Sequence, residues 1–341
     1  MQISDINRHA PAVRAEGLVK AFGEHRVVDS IDLAVARGEV LGVLGPNGAG
    51  KTTMLRMLAT LLRIDAGRAE IFGLDVETRS HEVRQLIGVT GQYASVDENL
   101  TASENLYLFG RLLGLSKKDA RQRGNVLLGQ FGLEEAADRQ IAQFSGGMRR
   151  RLDLAASLIT RPPLIFLDEP TTGLDPRTRV QMWDTIRELV AEGCAVLLTT
   201  QYLDEADELA DRIIVVDRGV KVAEGTPEEL KASVGSSTLR VTLSDPSRLA
   251  DAAAAIARVL PDEPAIDQPN ASISVPLADP DLAADTLLAL RDQRVSVASI
   301  SVQQPSLDEV FFALTGHDTS SQDRTDTDTH TDTALEMEAV R

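Results

Sequence analysis

The sequence has one cysteine, Cys194, so no internal disulfide can form, and it has no metal-ligand spacing with any histidine. Its neighbours, Gly193 and the apolar run 195–198, mark it as a small buried residue. Histidine is scarce as well. The five present form no i, i+4 pair, which argues against a dedicated transition-metal site. No apolar run approaches the ~18 residues that span a bilayer; stretches such as 195–198 and 213–216 have the length of buried strands. Residues 1–14 mix polar and charged side chains without an apolar core, unlike a secretory signal, so a cytosolic location is the expectation. Positive charge is short too. With 35 basic against 52 acidic residues the net charge is −17, which repels phosphate backbones and disfavours sequence-independent nucleic-acid binding.

What is present is a hydrophobic content of 43% over 341 residues, enough for two domains with real cores. Strand and helix patterns alternate from residue 13 to about 230, which predicts an α/β domain with a mostly parallel sheet covered by helices. Between about 96 and 144 the pattern is helical only, an insert with Leu106, Leu108, Leu112, Leu113, Leu127 and Leu128 as its expected core. Thr226-Pro227-Glu228-Glu229 reads as a helix start. The expected division is an N-terminal extension at 1–12, the α/β domain at 13–235, a small α+β module at 236–317 and a disordered acidic tail at 318–341. That module alternates strand at 239–243, helix at 246–260, strand at 272–275, helix at 279–290 and strand at 295–302, ending in an apolar turn at 310–314. The tail carries seven acidic and two basic residues and offers little to bury.

The chemistry starts at Gly45-Pro46-Asn47-Gly48-Ala49-Gly50-Lys51-Thr52-Thr53, between the apolar run 40–44 and a helical pattern over 52–62. This is a phosphate-binding loop for a nucleoside triphosphate. Its glycines turn backbone N–H groups toward the β-phosphate, Lys51 reaches the β- and γ-phosphates, and the Thr52 hydroxyl suits a magnesium ion. The following helix points its positive end at the anion. The apolar strand 164–167 delivers Asp168 to orient the metal and Glu169 to polarise the attacking water. Gln92 follows the strand pattern 86–90, and is either a metal and water contact or a solvated amide. Phe22 either stacks on adenine, worth about 1 to 3 kcal/mol, or belongs to the core. Finally, Phe144-Ser145-Gly146-Gly147-Met148 opens a helix 23 residues before Asp168, with a hydroxyl and bare N–H groups that make a second anion site. One phosphate loop has no use for that second site. Two copies arranged head to tail do.

On these motifs the chain resembles the ATP-binding-cassette (ABC) family over about 13–230: Phe22, the loop ending in Lys51 and Thr52, Gln92, the signature at Ser145, Gly146 and Gly147, the Asp168-Glu169 strand, and the loop Gly173-Leu174-Asp175 occur in family order. Two departures sit in the signature, where Phe144 and Met148 replace the usual Leu and Gln. The third is Gln201, where the family has a histidine on the γ-phosphate; an amide can donate to phosphate but cannot become cationic, so Glu169 must carry water activation. The stretches 144–151, 90–99 and 305–312 look like the daunorubicin/doxorubicin-resistance branch of exporters. The resemblance implies ATP and Mg²⁺ as cofactors, with Thr52, Gln92 and Asp168 around the metal, and catalysis by Glu169, Gln201 and Gln92. It also implies a homodimer with Asp175 at its interface, a separate transmembrane permease, a peripheral place on the cytoplasmic face of a bacterial membrane, and efflux of a drug or similar hydrophobic compound. A soluble ABC ATPase acting on ribosomes or nucleic acid is the alternative, with Arg149, Arg150 and Arg151 as its basic patch, although three arginines after the signature read better as a salt-bridged surface. A P-loop kinase would leave residues 145–147 unexplained. The 236–317 module is either a packing extension or a dimerisation or regulatory element.

Overall fold

The computed structural model describes residues 10–91, 96–235, 237–303 and 305–316; Gln92, residue 317 and the tail at 318–341 lie outside them. The chain divides after Pro227 into two compact units. In order, the first holds β1 (Val13–Phe22), β2 (His25–Val35), β3 (Val40–Leu44), α1 (Lys51–Leu58), β4 (Ala66–Ile71), β5 (Leu74–Asp75), α2 (Ser80–Val83) and β6 (Ile87–Thr90). It continues with α3 (Ala102–Leu112), α4 (Lys117–Gln130), α5 (Gly146–Ser157), β7 (Leu164–Asp168), α6 (Pro176–Ala191), β8 (Ala195–Thr200), α7 (Leu203–Leu209), β9 (Arg212–Asp217) and β10 (Val220–Gly225).

Six strands form one sheet in the order β10-β9-β3-β8-β7-β6, parallel except for the β9–β10 hairpin at one edge. Its central strands are near-continuous apolar runs because both faces are covered. Along β7, Leu164 and Phe166 join a core with Leu41, Val43, Met54 and Leu55, while Ile165 and Leu167 join a second core with Leu106, Leu127 and Ile186. Burying a side chain such as Phe166 contributes roughly 1.5–3 kcal/mol. A second sheet, β2-β1-β4-β5, is antiparallel and packs residues such as Leu18, Ile31 and Ile71 into the first of those cores. Sequence pattern alone does not anticipate it, since β1 pairs with β2 through three register shifts that interrupt the two-residue alternation.

The helical insert holds α3 and α4, but its expected core needs correction. Leu106, Leu127 and Leu128 are buried, whereas Leu108, Leu112 and Leu113 are 41%, 72% and 51% exposed. At ~100° per residue, positions 108 and 112 lie about 200° and 240° around the helix from Leu106, off the buried face.

The second unit begins at Glu228, inside α8 (Pro227–Val234) and ahead of the expected boundary at 235. It continues with β11 (Ser237–Leu243), α9 (Leu249–Ile256), β12 (Ala265–Asp267), β13 (Ser272–Leu277), α10 (Leu282–Asp292), β14 (Val297–Gln303) and α11 (Leu307–Thr315). The order β12-β13-β11-β14, all antiparallel, is the β-α-β-β-α-β split pattern of ferredoxin-like modules. The apolar stretch 310–314 is the body of helix α11, with Ser306 as its N-cap and Gly316 in the left-handed conformation at its end, and not a turn.

Candidate nucleotide and hydrolysis site

Residues 45–50 link the buried strand β3 to α1, at the carboxyl edge of the parallel sheet. Two glycines here are required by space. A Cβ on Gly45 would lie 2.3 Å from the Val216 carbonyl oxygen, and one on Gly50 2.3 Å from that of Val27, with Gly50 at φ +100° besides. Gly50→Ala is therefore expected to cost roughly 1–3 kcal/mol through forced backbone shifts. Chemical denaturation would read this as a lower midpoint, and an unchanged midpoint would show that the loop accommodates a Cβ without strain.

Lys51 is buried, and its ammonium donates to the carbonyls of Gly45 (2.8 Å) and Pro46 (3.1 Å) while standing 3.5 Å from Glu169 Oε1. Burial lowers its pKa, and the nearby Glu169 and Asp168 carboxylates oppose that shift. The Thr52 hydroxyl lies 3.0 Å from Asp168 Oδ1, which also accepts from Thr199 Oγ1 at 2.6 Å. Hydroxyl and carboxylate side by side are hard oxygen donors of the kind that Mg²⁺ takes alongside substrate phosphates. Asn47, exposed at the loop's outer turn, is neutral, so residues 45–53 set no negative charge of their own against phosphate.

Glu169 follows β7 in the left-handed region, φ +48°. Its N–H donates to the Thr199 carbonyl at 3.0 Å, and its Oε2 accepts from Thr172 Oγ1 at 3.3 Å. Phe22 is 53% exposed at the end of β1, free of the core, with the Lys20 ammonium 5.6 Å from its ring centre. Gln201 sits directly after β8, half-buried. Gln92 falls outside the described residues.

A second group forms around the signature. Ser145 caps α5 by accepting from the Met148 N–H, and Asp175 caps α6 by accepting from the Thr178 N–H and hydroxyl. Gly147 joins the two caps, since a Cβ there would stand 2.9 Å from Thr178 Cγ2. Gly146 faces open space.

Two contributors are not visible in the sequence. Thr199 reaches Asp168 because β8 and β7 are neighbours, which strand order alone reveals. The arginine triplet is the other, and its reading as a salt-bridged surface needs correction. Arg149 does pair with Glu98 at 2.7 Å, but Arg151 donates to the Phe131 carbonyl and Arg150 to the carbonyls of Gly91, Asp168, Glu169 and Pro170. Cys194 is buried as expected, its thiol donating to the Pro162 carbonyl and pushed up to about 12 by burial.

Residues 28–172 match the ABC transporter family, and residues 225–315 match the C-terminal domain of DrrA1-3-like ATP-binding proteins. The daunorubicin/doxorubicin resistance ATP-binding protein DrrA of Streptomyces peucetius is 52% identical over 306 residues, 90% of this chain and 93% of that protein. The doxorubicin resistance ATP-binding protein DrrA of Mycobacterium tuberculosis is 45% identical over 315 residues, covering 91% of this chain and 95% of its own length. Among solved structures, an ABC cassette captured as a post-hydrolysis dimer with ADP and phosphate superposes with TM-score 0.58 at 27% identity, over 63% of this chain and 98% of that one. By its motif order, fold and relatives, the chain belongs to the ATP-binding-cassette family of transporter ATPases, in the branch of the daunorubicin/doxorubicin-resistance ATP-binding proteins.

Proposed function

We propose that this chain is the ATP-hydrolysing subunit of an exporter, working as a homodimer on the cytoplasmic face of a membrane and driving efflux of a drug-like hydrophobic compound through a separate permease. The observation that carries the reading is the convergence of Lys51, Thr52, Asp168 and Glu169 within hydrogen-bond or ion-pair reach across the phosphate loop and β7. In this reading Phe22 stacks on adenine, residues 45–53 hold the phosphates through backbone N–H groups, and Lys51 exchanges its carbonyl partners for phosphate oxygens. Thr52 and Asp168 would hold Mg²⁺, which neutralises charge on the phosphates when bound. Glu169 then polarises the attacking water, and Gln201 donates to the γ-phosphate without supplying charge. Ser145, Gly146 and Gly147, at the α5 N-terminus, close the nucleotide of the opposite copy, with Asp175 beside them at the interface.

Support for a membrane partner comes from a groove between β6 and the helical insert. Its cavity of about 980 Å³ is lined by Arg84, Val89, Phe109, Leu112, Leu113 and Arg161 among others. The exposed Leu112 and Leu113 thus stand where apolar surface suits a docking segment. No helix among the described residues is long and apolar enough to cross a membrane. The names of the relatives supply the cargo class. Besides drug resistance, a Nod factor export ATP-binding protein of Ralstonia nicotianae is 46% identical over 220 residues, 64% of this chain and 68% of that one.

The test is to purify the tagged full chain from gently solubilised membranes of its own cells and identify its companions by mass spectrometry. A polytopic membrane protein should co-purify with it, and should be lost from a Leu112→Glu, Leu113→Glu variant that still binds Mg-ATP, because substitutions at such exposed positions cost about 0.5 kcal/mol or less in stability. Ribosomal proteins or nucleic acid in place of a membrane protein would overturn the exporter reading and favour the soluble one.

A further inference from the structure

Arg150 lies on α5, one turn in from the signature, and is half-buried. Its guanidinium reaches a set of backbone carbonyls. Nε donates to the Pro170 carbonyl at 2.9 Å, Nη2 to those of Asp168 at 2.8 Å and Glu169 at 2.9 Å, and Nη1 to that of Gly91. One planar fork therefore holds three consecutive carbonyls of the hydrolytic segment together with the end of the β6 segment. Few side chains other than arginine offer donors in enough directions for this. The peptide it grips is the one that needs gripping. Glu169 has a left-handed backbone, uncommon for a residue with a Cβ, and such conformations persist only where the surroundings over-determine them. Thr199 holds the Glu169 N–H from one side, and Arg150 holds the carbonyl from the other. Burial lowers the pKa of this guanidinium, and Asp153 and Asp168 act against that shift.

We infer that Arg150 is a positioning residue for hydrolysis, fixing the Asp168, Glu169 and Pro170 backbone to the signature helix so that the Glu169 carboxylate is aimed at the water and moves with residues 145–147. The inference rests on the assignment of Glu169 as the water-polarising group. It has a consequence for a head-to-tail dimer. The N-terminus of α5 serves one nucleotide and Glu169 of the same chain serves the other, so Arg150 is the rigid link between the two sites.

The experiment compares Arg150→Lys, Arg150→Gln and Arg150→Met with Glu169→Gln, all as full chains, measuring Kd for Mg-ATP, kcat, the Hill coefficient for ATP and thermal midpoint. The methionine variant should lose about a hundredfold in kcat, the scale of an ~1 Å misplacement, with Kd held within about threefold. The lysine variant keeps some donors and should fall between it and wild type. The Hill coefficient should drop toward one in all three. Combining Arg150→Lys with Glu169→Gln should cost little beyond Glu169→Gln alone, because both act through one carboxylate. If the methionine variant does not fold, the lysine and glutamine variants carry the same comparison. Wild-type kcat in the Arg150 variants beside an inactive Glu169→Gln protein would overturn the positioning role alone. Parallel losses of Kd, kcat and thermal midpoint would also overturn it, reducing Arg150 to a structural residue. Undiminished turnover in Glu169→Gln would instead remove the reading on which the inference stands.

Discussion

Lys51→Ala should weaken Mg-ATP binding by about two to four orders of magnitude, from the loss of two charge-assisted phosphate contacts at roughly 1.5–3 kcal/mol each. The ammonium is placed for this by the fold. It is buried, tied to the Gly45 and Pro46 carbonyls of the loop it serves, and attached to the first residue of α1. Truncation would leave both carbonyls without that donor and Glu169 without its cation 3.5 Å away, so a modest fall in thermal midpoint should accompany the loss of affinity. Lys51→Arg is the informative companion. It keeps the charge but brings a planar fork where a compact ammonium fits between two carbonyls, and it should bind poorly as well. Titration calorimetry with Mg-ATP on both proteins checks this. Affinity within threefold of wild type in Lys51→Ala would mean that the loop holds phosphate through its backbone alone.

How much of the site the sequence discloses depends on what kind of partner each residue has. The phosphate loop is contiguous, its glycines are demanded by close backbone approach, and its flanking strand and helix have clear patterns, so residues 45–53 are legible outright. Asp168 and Glu169 are legible because an apolar strand ends on them. Arg150 is not. Its partners are backbone carbonyls 18 to 59 residues away, and a carbonyl carries no side-chain identity to pair with in a sequence. Thr199 is hidden for a related reason, since its contact with Asp168 exists only once β8 lies beside β7. The exposed Leu112 and Leu113 mislead in the opposite direction. Composition counts them as core, yet Leu112 lies off the buried face of α3 and Leu113 follows its last residue, and both are exposed. In the second unit the three-residue strand β12 is too short to produce an alternation, although it completes the four-stranded order.

Glu169→Gln should reduce turnover by about 10²- to 10⁴-fold, the range that a positioned general base contributes, while Mg-ATP binding becomes equal or tighter. The two halves of this expectation come from different atoms. Loss of the carboxylate removes the acceptor that would take charge from the attacking water, and Gln201 cannot replace it because an amide neither ionises nor shuttles a proton. Tighter binding follows from the ion pair with Lys51, whose ammonium no longer shares itself between Glu169 and phosphate. The glutamine should otherwise fit in place. It has nearly the same volume, its amide oxygen can still accept from Thr172, and the left-handed backbone is held by Thr199 and Arg150 rather than by the carboxylate. Asp168 and Thr52 are untouched, so the proposed metal shell survives. With ATP bound but not split, the head-to-tail dimer should accumulate. Single-turnover kinetics would give the chemical step, and size-exclusion chromatography with light scattering in Mg-ATP would give the assembly. Turnover near the wild-type rate would move the base to another residue. A dead enzyme that stays monomeric would keep Glu169 as the base but detach hydrolysis from the pairing of two copies around residues 145–147.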